Sequence, residues 1–348
     1  MKNYEDLIKR IYACSKCGLC RAVCPVFELT KTEKSIPRGK FILANAVLKG
    51  ETSYNKEVSE FFNDCLFCGK CTNFCPTAIE TPLVTAALNR KYGKKGFCTF
   101  SQNFFFKILS FFTKKFKPFE KQPSNAEIYL FEDCMSRCVD DSETKSVVKI
   151  FEHFGHAVRK VDCGCCKIDE FFEGKTPEKT IKSIKNRIPE TTKALLYSCD
   201  TCGFALKTYA EEFEELAYLK NKIFSVTEYF EKITKTELKI SCKKPLKVVF
   251  HSPCRGTGIP NVLKQISKLQ LVELSEKCCG FGGKFFFEHP IKSLKLMKKR
   301  ANEIKQKNPE FVITTCMLCK FGLSIALAGS NARITGLYEF LNRHCKID

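Results

Sequence analysis

Eight cysteines in two matching runs carry the clearest chemistry in this sequence. Cys14-x2-Cys17-x2-Cys20-x3-Cys24-Pro25 and Cys65-x2-Cys68-x2-Cys71-x3-Cys75-Pro76 repeat one spacing in full. Thiolates so spaced wrap cubane iron–sulfur clusters. Three close sulfurs take one cluster, and the fourth, before proline, reaches the other cluster of a pair. By that rule Cys14, Cys17, Cys20 and Cys75 hold one 4Fe–4S cluster, and Cys65, Cys68, Cys71 and Cys24 hold a second. Gly18 and Gly69 follow the second cysteine of each run, where the chain must turn tightly. Zinc sites use four ligands in spaced pairs and do not repeat such a run twice.

Further cysteines fall at the ends of short apolar runs. Ile128–Phe131 leads to Cys134, 157–161 to Cys163, Cys165 and Cys166, and 194–197 to Cys199 and Cys202. Later, 248–250 leads to Cys254, 271–274 to Cys278 and Cys279, and 311–314 to Cys316 and Cys319. Each copy reads strand–C, strand–CC, strand–CxxC. Helical patterns at 147–154, 178–187 and 293–305 lie between, a βαβ rhythm that predicts a largely parallel sheet. Ligands bind such sheets beyond the carboxyl ends of the strands, where these cysteines stand. Around the first runs, 38–48 and 57–62 read as helices. The fold class expected is α+β overall: a helical dicluster ferredoxin-type domain followed by two tandem α/β cysteine-rich repeats with ligands at strand ends. The boundaries expected are 1–92, a basic amphipathic linker at 93–125, 126–240 and 246–348.

Composition narrows the function. The chain has 348 residues, 44% hydrophobic and 28% charged, enough to bury a core. Its 23 cysteines are odd in number and no apolar leader follows MKNYEDLIKR, so metal-bound thiolates in a reducing, cytoplasmic compartment are expected rather than a disulfide framework. The formal charge of +20 is spread along the chain and is partly cancelled by the negative charge of thiolate-ligated clusters, so no nucleic-acid partner is expected. No run reaches the ~18 apolar residues of a membrane span. Phe104, Phe105, Ile108, Leu109, Phe112 and Phe116 do form one face of a basic amphipathic helix. That face suits either the cytoplasmic face of a membrane or packing within the protein or on a partner. Gly280-Phe281-Gly282-Gly283 lacks the final glycine of a dinucleotide loop, because Phe285 stands there. His251 and Arg255, beside Cys254, read either as groups that tune a cluster or as ordinary packed and surface residues. Cys98, Cys242 and Cys345 are expected to be structural or incidental.

On these motifs the chain resembles the iron–sulfur proteins that join a dicluster ferredoxin to cysteine-rich CCG domains. That group includes the iron–sulfur subunit of glycolate oxidase, the C-type subunit of anaerobic glycerol-3-phosphate dehydrogenase and the D-type subunit of heterodisulfide reductase. The resemblance implies one or two further iron–sulfur clusters, including the non-cubane 4Fe–4S form, on five-cysteine sets. Cys254, Cys278, Cys279, Cys316 and Cys319 match that pattern with Gly280 in place. Cys134, Cys165, Cys166, Cys199 and Cys202 match it with Lys167 where glycine is expected, and Cys138 and Cys163 leave other ligand sets open. The implied function is a relay that passes single electrons from a flavoprotein dehydrogenase subunit toward quinone or a membrane anchor, with no catalytic residue of its own. The alternative is a thiol–disulfide reductase of the heterodisulfide type.

Overall fold

The structure is a computed structural model describing residues 4–93, 126–234, 239–256 and 258–347. The amphipathic stretch 97–117 and Cys98 lie outside the described residues. The chain forms two compact units. The first comprises Met1–Gln102 with two segments from much later in the chain, Ile168–Pro177 and Lys277–Arg300. The second comprises Asn103–Lys167, Glu178–Glu276 and Ala301–Asp348.

The first unit is helical. Its helices begin where prolines sit at the first helical positions, at Pro25–Thr30, Pro37–Leu48 and Thr81–Tyr92. There the missing N–H costs nothing and φ is already set. Lys56–Asn63 starts instead on an Asn55 cap, whose side chain accepts from the Val58 N–H at 3.0 Å. Leu7, Ile8, Ile11, Phe41, Ala44, Val47, Phe62, Val84 and Leu88 form its core. The late segments are fastened to this frame. Phe172 stacks on Phe67 with centroids 4.8 Å apart, and its carbonyl accepts from Asn89 Nδ2 at 2.8 Å. Lys292 Nζ pairs with Asp64 Oδ1 at 2.8 Å, and Lys299 pairs with Glu28.

The second unit holds two parallel sheets. Strands β1 (Ile128–Phe131), β2 (Val158–Val161), β3 (Ala194–Tyr197) and β4 (Ile223–Ser225) lie in the order β2-β1-β3-β4. Strands β5 (Ile240–Phe250), β6 (Ser267–Val272), β7 (Phe311–Thr314) and β8 (Arg333–Gly336) repeat that order as β6-β5-β7-β8. A short strand β9 (Cys345–Ile347) pairs antiparallel with the start of β5. The central strands β1, β3 and β7 are buried at every position, as parallel strands covered on both faces must be. One core joins the two sheets, with Leu130, Val147, Phe151, Leu196, Val248, Ile313 and Phe340 among its members.

A buried carboxylate ties the halves of this unit. Glu143, in helix Ser142–His153, is fully buried. Its oxygens accept the N–H groups of Tyr338 (3.1 Å) and Glu339 (2.8 Å), at the start of helix Leu337–His344. Orphan amides at a helix start need such an acceptor. Burial pushes the Glu143 carboxyl up from 4.5 to about 8, against the opposite pull of those amides. A raised folded-state value means that this group's stabilisation is complete below about pH 4.5 and is lost as pH rises through about 8. Melting curves across this window are expected to show wild-type stability declining relative to Glu143→Gln as pH increases. A difference between the two that stays constant with pH would refute the assignment.

Candidate metal centre

In the first unit the two cysteine runs adopt one backbone pattern. Lys16 (φ 57°) and Gly18 (φ 82°) flank Cys17, and Phe67 (φ 49°) and Gly69 (φ 72°) flank Cys68. Left-handed residues at alternate positions turn successive amides to one side, which builds the concave N–H surface used to hold anionic clusters. The cost of the left-handed state at Lys16 and Phe67, about 1 kcal/mol each, is accepted at the same place in both loops. The Phe67 amide donates to Cys65 Sγ at 3.3 Å.

Cys14, Cys17, Cys20, Cys71 and Cys75 line one cavity, which therefore also takes in a cysteine expected for the other set. The Arg38 guanidinium donates to the Lys16 carbonyl at 3.2 Å and pairs with Glu33 at 2.7 Å. Gly18 takes the left-handed conformation without the strain another residue would carry there. Burial pushes the Cys20 thiol up, opposed by Arg38. Cys24, Cys65 and Cys71 form a second neighbourhood. Burial pushes Cys24 up to about 11 and Cys71 up to about 12, and each is raised further by its neighbours' sulfurs.

Inside that neighbourhood is a residue the sequence reading passes over. Lys40 is 1% exposed, and its ammonium donates to the carbonyls of Phe61 (2.6 Å), Phe62 (3.0 Å) and Asp64 (3.2 Å). Burial pulls its pKa down, while Cys65, Asp64, Cys24 and Cys71 pull it up. The available signal was its place on a helical stripe with Phe41, Ala44 and Val47, a position where an unpaired lysine is not tolerated.

In the second unit the cysteines follow strand ends as expected. Cys134 follows β1 and opens helix Cys134–Cys138. Cys199 and Cys316 stand in the extended residues that cap helices Asp200–Glu212 and Met317–Ala326, with Cys202 and Cys319 one turn inside. Thiols then join in one hydrogen-bonded series, buried except at the half-buried Cys134 and Cys165. Cys134 is hydrogen-bonded to Cys165, Cys165 to Cys166, Cys166 to Cys202 and Cys202 to Cys199. Cys199 is in turn hydrogen-bonded to Cys316, and Cys316 to Cys319. The spacing does not reveal that the first five-cysteine set abuts the CxxC of the second. What joins them is main chain and side chain together: Asp200 N–H donates to the Thr315 carbonyl at 2.9 Å, and the Thr315 hydroxyl donates to Asp200 Oδ2 at 2.6 Å. Thr201 Oγ1 lies 3.3 Å from Cys316 Sγ.

Hydrogen bonds from neighbouring thiols hold Cys165 and Cys316 well below the usual thiol range. Cys134 and Cys202 are pushed far up by the same contacts and by burial. So many adjoining sulfurs cannot ionise together in an apolar interior without a multivalent cation to neutralise them. Lys167 takes the left-handed conformation (φ 55°) that glycine takes at Gly280 (φ 86°). The lysine therefore keeps the turn that glycine makes easily, and its amide and ammonium both favour the Cys165 thiolate. Cys163 lies apart, against Ser183.

Cys278 and Cys279 belong to the first unit, and Cys254, Cys316 and Cys319 to the second. The Gly280 amide donates to Cys278 Sγ at 3.4 Å. A Cβ there would sit 2.6 Å from Leu296 Cβ and 3.0 Å from the Met297 nitrogen, so glycine is required. Cys254 stands in the turn after β5, and His251 on the same turn is fully buried. A polar cavity of about 130 Å³ is bordered by Ser198, Asp200, Thr315, Tyr197 and Tyr338. Burial pushes the Asp200 carboxyl up to about 7.

The chain is thus an iron–sulfur protein with several cluster sites. The family model for the 4Fe-4S dicluster domain matches residues 10–79, and that for the cysteine-rich domain matches residues 248–324. The chain is 22% identical to the glycolate oxidase iron-sulfur subunit of Escherichia coli, over 90% of each protein. It is 25% identical to the D-type subunit of the dihydromethanophenazine:CoB–CoM heterodisulfide reductase of Methanosarcina acetivorans, covering 89% of this chain and 88% of that one. A hypothetical protein from Helicobacter pylori has a similar fold, with a TM-score of 0.55 at 12% identity, over 97% of this chain and 74% of the other. Among the described residues no helix is long and apolar enough to cross a membrane.

Proposed function

We propose that this chain is the electron-transfer subunit of a flavin-dependent dehydrogenase complex, relaying single electrons from a flavoprotein toward quinone. The observation that carries the reading is that one chain holds both a hydrogen-bonded series of thiols and two ferredoxin-type cysteine loops. Together they supply sulfur ligands for several clusters. Residues 1–92 act as the dicluster domain, and 126–240 and 246–348 as tandem cysteine-rich repeats. Cys14, Cys17, Cys20 and Cys75 hold one 4Fe–4S cluster, and Cys65, Cys68, Cys71 and Cys24 the other. Cys134, Cys165, Cys166, Cys199 and Cys202 hold a third cluster. Cys254, Cys278, Cys279, Cys316 and Cys319 hold a fourth. Once bound, such clusters supply one-electron transfer.

The chain's own groups prepare these sites. The Phe67 and Gly280 amides aim at sulfur, which stabilises negative charge there. Lys40 sets a buried positive charge among Cys24, Cys65 and Cys71. The likeness to the glycolate oxidase iron-sulfur protein of Escherichia coli supports a flavoprotein partner acting on a small 2-hydroxy acid.

A second reading, thiol–disulfide reduction, is supported by the likeness to the D-type subunit of heterodisulfide reductase and by Asp200, a carboxyl able to give up a proton near neutral pH. The cavity at Asp200, about 130 Å³, is small beside the ~300–1,000 Å³ of ordinary ligand pockets, which favours the relay.

Iron and acid-labile sulfide on anaerobically purified protein test the reading. The expected result is roughly 16 of each per chain, with low-temperature EPR signals from more than one centre. Zinc without sulfide would overturn it. Reduction of a small disulfide by the isolated, cluster-loaded chain would favour the second reading.

A further inference from the structure

Two cysteines outside every proposed ligand set face one another in the second unit. Cys242 on β5 and Cys345 on β9 are direct partners in an antiparallel pair, with Ser241 opposite Lys346 and Ile240 opposite Ile347. Their Sγ atoms are 3.6 Å apart, and the residues are 1% and 5% exposed. Opposed residues in antiparallel strands have Cα atoms about 4.5–5.5 Å apart, inside the ~4.4–6.8 Å span of a disulfide. Side-chain rotation, without backbone movement, closes the remaining gap to the ~2.05 Å of an S–S bond. Cys242 also lies at the opposite end of β5 from Phe250 and the Cys254 turn, with a register irregularity between Ser241 and Leu246. It is therefore not placed to serve the proposed clusters.

We propose that Cys242 and Cys345 form a reversible cross-strand disulfide that locks β9 to β5. The oxidant is a low-molecular-weight disulfide, RSSR. One cysteine thiolate attacks RSSR, expels RS⁻ and forms a mixed disulfide. The second cysteine thiolate attacks the protein sulfur of that bond and expels the other RS⁻. The two protein thiols lose two protons and two electrons in total, and RSSR becomes two RSH. Because both thiols are buried, the exchange proceeds through opening of β9, which spans three residues and pairs only with β5 among the described strands. The closed bond encloses about 100 residues, including β6, β7 and β8, and so restricts the unfolded chain strongly. Closure of this bond is independent of which cysteines hold the clusters.

The test incubates anaerobic, cluster-loaded full-length protein with oxidised glutathione, below the concentration that bleaches cluster absorbance. The protein is then denatured in N-ethylmaleimide and its peptides mapped by mass. The expected result is a Cys242–Cys345 linked peptide that dithiothreitol separates. Oxidation should also raise the melting midpoint by about 5 °C or more in the wild type and leave Cys345→Ser unchanged. Should Cys345→Ser fold poorly, Cys242→Ala serves in its place. Full alkylation of both cysteines after oxidation, or linkage of either to another cysteine, would overturn the proposal.

Discussion

Replacing Cys17 with alanine is expected to remove one cluster and cut electron flow through the chain by a factor on the order of 10² or more. Cys17 suits this test because it is exposed, whereas the other seven cysteines of the two runs are wholly or partly buried. Truncating an exposed thiol opens no core cavity, so the variant should melt near the wild type apart from any stability the bound cluster contributes. A cluster deprived of one of four protein ligands has an exposed iron, and its loss should lower both iron and sulfide by roughly four per chain. The partner flavoprotein should still reduce a dye that accepts electrons at the flavin, while transfer to quinone stops. If dye reduction vanished with the complex still assembled, the relay role would be wrong. If iron content were unchanged, Cys17 would not be a ligand.

Much of this architecture could be read from local pattern. The runs at β1, β3 and β7 end where the strands end, because each strand is buried along its whole length. The helix at 178–187 was likewise visible from its spacing. Strand β6 was expected at 271–274 and lies at Ser267–Val272, because it is an edge strand with exposed residues and no continuous apolar run. Strands β4, β8 and β9 were not anticipated. They are three or four residues long and exist by virtue of partners distant in sequence. The same reason explains why β5 starts at Ile240, eight residues before the apolar run at Val248: its first residues pair with β9, over 100 positions away.

The metal centres divide in the same way. Ligand spacing is a local property, so every cysteine set could be proposed from sequence. The contact between Cys199 and Cys316, and the fastening of 168–177 and 277–300 to the N-terminal helices, depend on tertiary packing that no spacing encodes. At Lys167 the sequence raised a real difficulty, and the backbone answers it by accepting a left-handed lysine. The adjoining sulfur gains both an amide and a cation from that residue, which offsets part of the conformational cost.

Lys40→Met should have the second large effect, and it separates structure from redox tuning. In the wild type three main-chain carbonyls and at least three sulfur neighbours surround one buried ammonium. Methionine has similar length but no charge and no donor. Orphaning those carbonyls should cost about 2–4 kcal/mol of stability, read as a lower unfolding midpoint. The electrostatic effect is independent of that loss. Two unit charges ~6 Å apart at an effective dielectric near 20 interact by about 3 kcal/mol, which sets the scale for a charge among these sulfurs. For a one-electron couple this is on the order of 100 mV. The charge favours the reduced, more negative state, so its removal should lower the midpoint potential of the centre proposed for Cys65, Cys68, Cys71 and Cys24. The centre proposed for Cys14, Cys17, Cys20 and Cys75 should shift less. Redox titration followed by EPR measures both centres in one sample, and Lys40→Arg, which retains the charge, should recover the potential more fully than the stability. Equal shifts in both centres, or none in either, would mean that Lys40 serves only to satisfy the carbonyls of Phe61, Phe62 and Asp64.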